Sequence, residues 1–198
     1  MLLLQLLASK HWDLRSFDIR AAFLQGKPQP GRTLAIEPVP ELAQALQLAT
    51  NEICRLEKGA YGLIDAPYLW FVAISDELKS LGFEASPFDP CLFTLRDPHD
   101  QSIAGVIGLH VDDGICGGNS LFMSKLDQLE KKYPFGSKKL HQFTFTGIEM
   151  NQLPNYTIHM SQSKYVKAIN PIHIPKDRKD QRDASVTEDE RQALRASR

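Results

Sequence analysis

The sequence predicts an α+β fold, antiparallel strands with helices packed on one side. Strand-like runs follow one another across short segments rich in Gly, Pro, Asp and Asn. Two long stretches instead carry apolar residues at helical spacing. A hydrophobic content of 42% over 198 residues supports one core of useful size.

In chain order, Leu2, Leu3, Leu6 and Leu7 share a helix face, so the chain opens within a helix. Trp12 to Ile19 reads as a strand with Leu14, Ser16 and Asp18 on one face. A Pro- and Gly-rich loop (Gly26 to Gly31) precedes a short strand at Thr33–Ile36 and a helix from Glu41 to Leu48. Asn51 to Glu57 alternates as a half-buried strand does. Pro67 suits the first turn of a helix whose stripe is Trp70, Ile74, Leu78 and Leu81, ended by Gly82. Cys91–Leu95 and Ile103–Val111 read as strands joined at Asp97–Asp100, and the second, apolar on both faces, belongs in the middle of a sheet. After Asp112-Asp113-Gly114 the strand resumes at Ile115-Cys116; Asn119 then caps a helix with the stripe Phe122, Leu126, Leu129 and Tyr133. Phe143–Met150 and Tyr156–Met160 form a strand pair, followed by a helix over Gln162–Ile169. Beyond Pro175 the mixed-charge run Lys176–Asp183 reads as a solvated linker.

The formal net charge of −1 excludes a globally basic nucleic-acid binder but not a local basic groove. Three scattered cysteines without CxxC spacing give no disulfide framework and fit a reducing, cytoplasmic setting. No apolar run approaches the roughly 20 residues that span a bilayer, so no membrane partner is expected.

Three segments carry residues that packing alone does not call for. Asp18 lies near the end of an otherwise buried strand, where an ionised carboxylate needs a partner or a metal; taken alone, it reads as a helix cap. Asp112 and Asp113 place two like charges side by side, a cost that a divalent cation removes; taken alone, Asp-Gly reads as a hairpin turn. Successive strand residues face opposite ways, so only one of the two can align with a carboxylate on a neighbouring strand. The small residues of Gly59–Pro67 permit close backbone approach; taken alone, they read as a strand-to-helix loop.

Together and in order, these segments resemble the polymerase motifs of copia-type LTR-retrotransposon reverse transcriptases. Asp18-Ile-Arg-Ala-Ala-Phe-Leu-Gln-Gly26 is similar to the first motif. Cys54-Arg-Leu-Glu-Lys-Gly-Ala-Tyr-Gly-Leu63, with Ala66-Pro67 and Trp70, is similar to the second. His110-Val111-Asp112-Asp113 resembles the aromatic-Val-Asp-Asp motif. Leu81–Ser86, Asp89 and Cys91–Phe93 match the family's connecting segment between the second and third motifs, and Phe145–Glu149 and Gln162–Val166 resemble its later strand and helix, so the resemblance covers nearly the whole chain. The family usually has Lys-Gln in place of Ile64-Asp65, Arg in place of Tyr68 and Tyr in place of His110.

The resemblance implies a polymerase palm with partial fingers over residues 1–174, an antiparallel sheet backed by helices. Residues 175–198 form a charged linker and the start of the following segment. It implies RNA-directed DNA synthesis by two Mg²⁺ ions, with Mn²⁺ as a possible substitute. Asp18, Asp112 and the Ile19 carbonyl would bind metal, with Asp113 shaping the turn and angled away from the other carboxylates. Phe23, Tyr61 and Gly62 would contact the nucleotide, Phe23 beneath the sugar. The implied partners are RNA or DNA template-primer, dNTPs and other parts of a Pol polyprotein, integrase and RNase H among them. An intact element would act in the cytoplasm, a virus-like particle or the nucleus. The family's amino-terminal fingers would precede Met1 and its thumb would follow the chain, so the isolated stretch is expected not to polymerise. Two alternatives stay open, a non-catalytic remnant that at most binds nucleic acid weakly, and a metal-dependent hydrolase that uses the same carboxylates without a template.

Overall fold

A computed structural model describes residues 2–28, 31, 33–49, 51–169, 176–179, 181 and 183–196. The chain runs α1 (Leu2–Ser9), β1 (Arg15–Ile19), a 3-10 turn (Ala22–Gln25), β2 (Leu34–Ile36), α2 (Pro40–Ala45), β3 (Cys54–Leu56) and α3 (Ala66–Ser80). Next come β4 (Phe83–Ala85), β5 (Leu92–Arg96), β6 (Ile103–His110), β7 (Asp113–Gly118) and α4 (Ser120–Lys132). Then follow β8 (Phe135–Leu140), β9 (Gln142–Phe145), β10 (Ile148–Gln152), β11 (Ile158–Ser161), α5 (Ser163–Ala168), α6 (Lys176–Lys179) and α7 (Glu188–Ala196).

Six strands form the main sheet in the order β4-β5-β6-β7-β1-β8, and every neighbouring pair is antiparallel. The doubly apolar β6 is an interior strand, as its sequence requires. Its alternate residues enter different cores, and so do those of β7. Ile107 and Cys116 pack with Trp70, Ile74 and Leu78 of α3 and with Phe122, Leu126 and Leu129 of α4. Val106 and Ile115 pack with Leu7 of α1, Leu14, and Phe143 and Met150 of the β9–β10 hairpin. Helices therefore cover both faces of the sheet, not one. The apolar side of α1 needs a surface to bury against, and it supplies the second layer together with the small β11-β10-β9 sheet.

Local chemistry explains most boundaries. Gly82, at φ +95°, closes α3 in a conformation that only glycine adopts freely. The Asn119 side chain accepts a bond from the Phe122 N–H at 3.1 Å and so caps α4. At Gly105 and Gly118, paired across β6 and β7, an added Cβ would lie 2.2 and 2.4 Å from the Phe122 ring. The ring of Phe122 thus rests directly on backbone.

Some boundaries differ from expectation. Strand β1 starts at Arg15 because the Gln152 side chain takes the backbone before it. Leu14 N–H donates to Gln152 Oε1 at 2.7 Å, and Gln152 Nε2 donates to the Trp12 carbonyl at 2.9 Å. The run Phe143–Met150 is two strands, turned at Thr146 and Gly147 with φ of +47° and +81°. Strand β8 has no apolar alternation, since Phe135 alone is buried; it forms because the outer edge of β1 needs a backbone partner. Lys138 and Lys139 guard the new edge. In the charged stretch after Pro175, Arg178 of α6 pairs with Glu190 of α7.

Candidate active site

The candidate residues collect where β1, β7 and β8 meet. Residues directly opposite in an antiparallel pair share a face. His110 is opposite Asp113, Asp113 is opposite Asp18, and Asp18 is opposite Ser137. These four residues form a row across β6, β7, β1 and β8. Asp18 follows the parity of Leu14 and Ser16, as the alternation predicts, while Phe17 and Ile19 face the α3/α4 core.

The carboxylate aligned with Asp18 is that of Asp113, which differs from the expectation that Asp113 angles away. Asp112 sits in the turn, which falls on Val111–Asp112 rather than on Asp113-Gly114. Gly114 is already within β7, and an added Cβ there would lie 2.2 Å from Phe17 Cζ. Phe17 in turn stacks on Phe135 with centroids 4.3 Å apart. Two bonds pin the turn: Ile19 N–H donates to the Asp112 carbonyl at 2.8 Å, and Trp70 Nε1–H donates to the Val111 carbonyl at 2.8 Å.

The pairing of β1 with β8 slips between Asp18 and Ile19, leaving Gly136 as the extra residue of a bulge. A Cβ on Gly136 would lie 2.6 Å from Asp18 Oδ2, so the missing side chain is the space that the carboxylate occupies. Neither Gly136 nor Ser137 could be singled out from sequence, because their place depends on this strand pairing. Trp70 was legible as a helix-stripe and motif residue, but its bond to the turn was not.

Burial, then the charges of Asp112 and Asp18, hold the Asp113 carboxyl above its ordinary range; His110 and Lys139 act the other way. The folded chain therefore binds this proton more tightly than the unfolded chain does. The resulting stability is present below the unfolded value of about 4 and is lost as pH rises through the folded value. Asp113→Asn is accordingly expected to raise stability at neutral pH by on the order of 0.5 kcal/mol. That is about 1–2 °C in melting temperature, an advantage that fades below pH ~4 and is read by melts at a series of pH values.

The donor set suits a divalent cation. Among the described residues no group of three His, Cys, Asp or Glu side chains forms a metal cage. Mg²⁺ does not need one: it binds through one or two carboxylates and completes its shell with water and substrate phosphate. The repulsion felt by Asp113 is the cost that such an ion relieves.

The second motif borders this row. Phe23, on the 3-10 turn and half-buried, tilts against the exposed Tyr61 with centroids 4.9 Å apart. Gly62, also exposed, has φ +92°. An added Cβ on Gly59 would lie 3.0 Å from Ala66 Cβ, and one on Gly26 would lie 3.1 Å from Trp70 N, so the first-motif turn packs closely on α3. Ile64 and Tyr68 are exposed on the same segment. Among the described residues, no helix is long and apolar enough to cross a membrane.

Comparison with known proteins agrees with this arrangement of motifs. The family described as reverse transcriptase (RNA-dependent DNA polymerase) matches residues 1–173. The Retrovirus-related Pol polyprotein from transposon RE1 of Arabidopsis thaliana is 31% identical over 160 residues, covering 79% of this chain and 10% of that protein. The corresponding polyprotein from transposon RE2 of the same plant is 33% identical over 164 residues, again 79% and 10%. That from transposon TNT 1-94 of Nicotiana tabacum is 26% identical over 171 residues, 84% and 12%. The chain thus spans about a tenth of the length of these curated relatives. It belongs to the reverse transcriptase (RNA-dependent DNA polymerase) family, among relatives of the copia-type Pol polyproteins that its motifs resemble.

Proposed function

We propose that this chain is the palm of an RNA-directed DNA polymerase that joins nucleotides by two-metal catalysis. The observation that carries the reading is the row His110–Asp113–Asp18–Ser137, with Asp112 in the adjoining turn. Asp18, Asp112 and the Ile19 carbonyl would hold Mg²⁺, and Asp113 would supply further negative charge on the same face. The ions, when bound, supply activation of the primer 3′-hydroxyl and charge neutralisation at the triphosphate. The chain's own part is placement. The β1–β7 pairing fixes one carboxylate against another, the Gly136 bulge leaves room for Asp18, and the bonds to Val111 and Asp112 set the turn. Partners on this reading are template-primer, dNTPs and other Pol segments. A net charge of −1 gives no global attraction for a polyanion, so nucleic-acid binding by the isolated chain is expected to be weak and salt-sensitive.

Primer extension by a Pol product containing this chain tests the reading. Extension that needs an RNA template, dNTPs and Mg²⁺ is expected. Cleavage of a simple phosphodiester without template or dNTP contradicts the reading and favours a hydrolase. The absence of either activity in an otherwise complete product favours a non-catalytic remnant.

Phe23 bears on sugar choice. Its ring tilts against Tyr61; beneath the sugar, where the motif resemblance puts it, it would clash with a ribose 2′-hydroxyl. Phe23→Val is expected to raise ribonucleotide incorporation relative to dNTPs by about tenfold or more. Unchanged discrimination in competition assays means that the ring does not face the sugar.

A further inference from the structure

Val111 has φ +59°, a conformation that a β-branched residue rarely takes. Its neighbour Asp112 is not among the residues with positive φ. In a two-residue hairpin turn, positive φ at the first central residue alone is the type II′ pattern, and positive φ at both is type I′. The two forms differ by rotation of the central peptide, whose carbonyl here belongs to Val111. Both forms suit a twisted hairpin, and Asp tolerates the left-handed region well. Nothing in Asp112 itself therefore selects one form.

Trp70 selects it. We propose that Trp70 is a positioning residue for the metal site, locking the Val111–Asp112 turn in its II′ form through the indole N–H bond to the Val111 carbonyl. Rotation of the central peptide carries that carbonyl away from the indole. Trp70 cannot follow: it is 1% exposed and stands edge-on to Tyr133 with centroids 5.2 Å apart. The other restraint, Ile19 N–H on the Asp112 carbonyl, acts beyond the central peptide and leaves its rotation open. The φ of Asp112 sets the direction of its carboxylate relative to Asp18 and Asp113, so α3 governs the donor set without touching a ligand. The inference rests on the polymerase reading for its consequence, though not for its geometry.

Trp70→Phe keeps a packed ring and removes the donor, and NMR of the chain reads the result. A strong intraresidue amide–Hα contact at Asp112, the mark of positive φ, is expected to appear in the variant. Mn²⁺ binding, followed by relaxation enhancement, should weaken about tenfold or more. Adding Val111→Gly should restore both, because glycine at the first central position favours II′. A variant that melts earlier but keeps the wild-type Asp112 contact and Mn²⁺ affinity overturns the proposal. If Trp70→Phe does not fold, the wild-type chain decides: a scalar coupling from the Trp70 indole nitrogen to the Val111 carbonyl carbon supports the lock, and its absence overturns it. If the wild-type chain binds no Mn²⁺ at Asp18, the polymerase reading fails, and the Asp112 contact in the variant still decides the role of Trp70.

Discussion

Asp18→Asn is expected to lower templated nucleotide addition on the order of 10³-fold, with the melting temperature moving by only about 1–2 °C. The carboxylate stands opposite Asp113, accommodated by Gly136, and is not in the packed core. An amide of the same shape keeps that packing and relieves the repulsion on Asp113, but it replaces a hard anionic ligand by a neutral one. Chemistry and stability should therefore separate. Single-turnover extension by a Pol product carrying the variant, beside its melting curve, makes the comparison. Activity within a few-fold of wild type removes Asp18 from the metal site.

Phe122→Ala is expected to destabilise the fold by about 3–5 kcal/mol. Its ring is fully buried, meets Phe83 edge-on at 5.9 Å and rests on the Gly105–Gly118 pair. The two glycines have no side chains to move into the space, so the cavity cannot collapse from the sheet side. A loss of that size is a large part of the 5–15 kcal/mol that usually holds a domain folded. Chemical denaturation should show a much lower midpoint with a similar slope. A loss below about 1 kcal/mol would mean that α4 repacks onto the sheet.

Periodicity and caps made most of this fold legible. The stripe Trp70, Ile74, Leu78, the cap Asn119 and the doubly apolar β6 each follow from short-range chemistry. Pairing is what sequence could not express. Strand β8 has a polar pattern and exists for the edge it covers, and Gly136 matters only through the bulge opposite Asp18. The site divided in the same way. Asp18, Asp112 and Asp113 stand out as charges in apolar surroundings, yet which aspartate aligns with Asp18 depends on a register that a one-residue slip reverses. Asp-Gly signals a hairpin, but the turn lies two residues earlier because His110 pairs with Asp113. The strained Val111 shows no sign in sequence, since positive φ there belongs to the two-residue turn that the pairing of His110 with Asp113 imposes.

Mn²⁺ titration of the chain followed by NMR tests the metal site most directly. Saturable broadening is expected, centred on Asp18, Ile19, Asp112 and Asp113, reversed by Mg²⁺ and abolished by Asp18→Asn. Broadening centred elsewhere, or unchanged in Asp18→Asn, would contradict it.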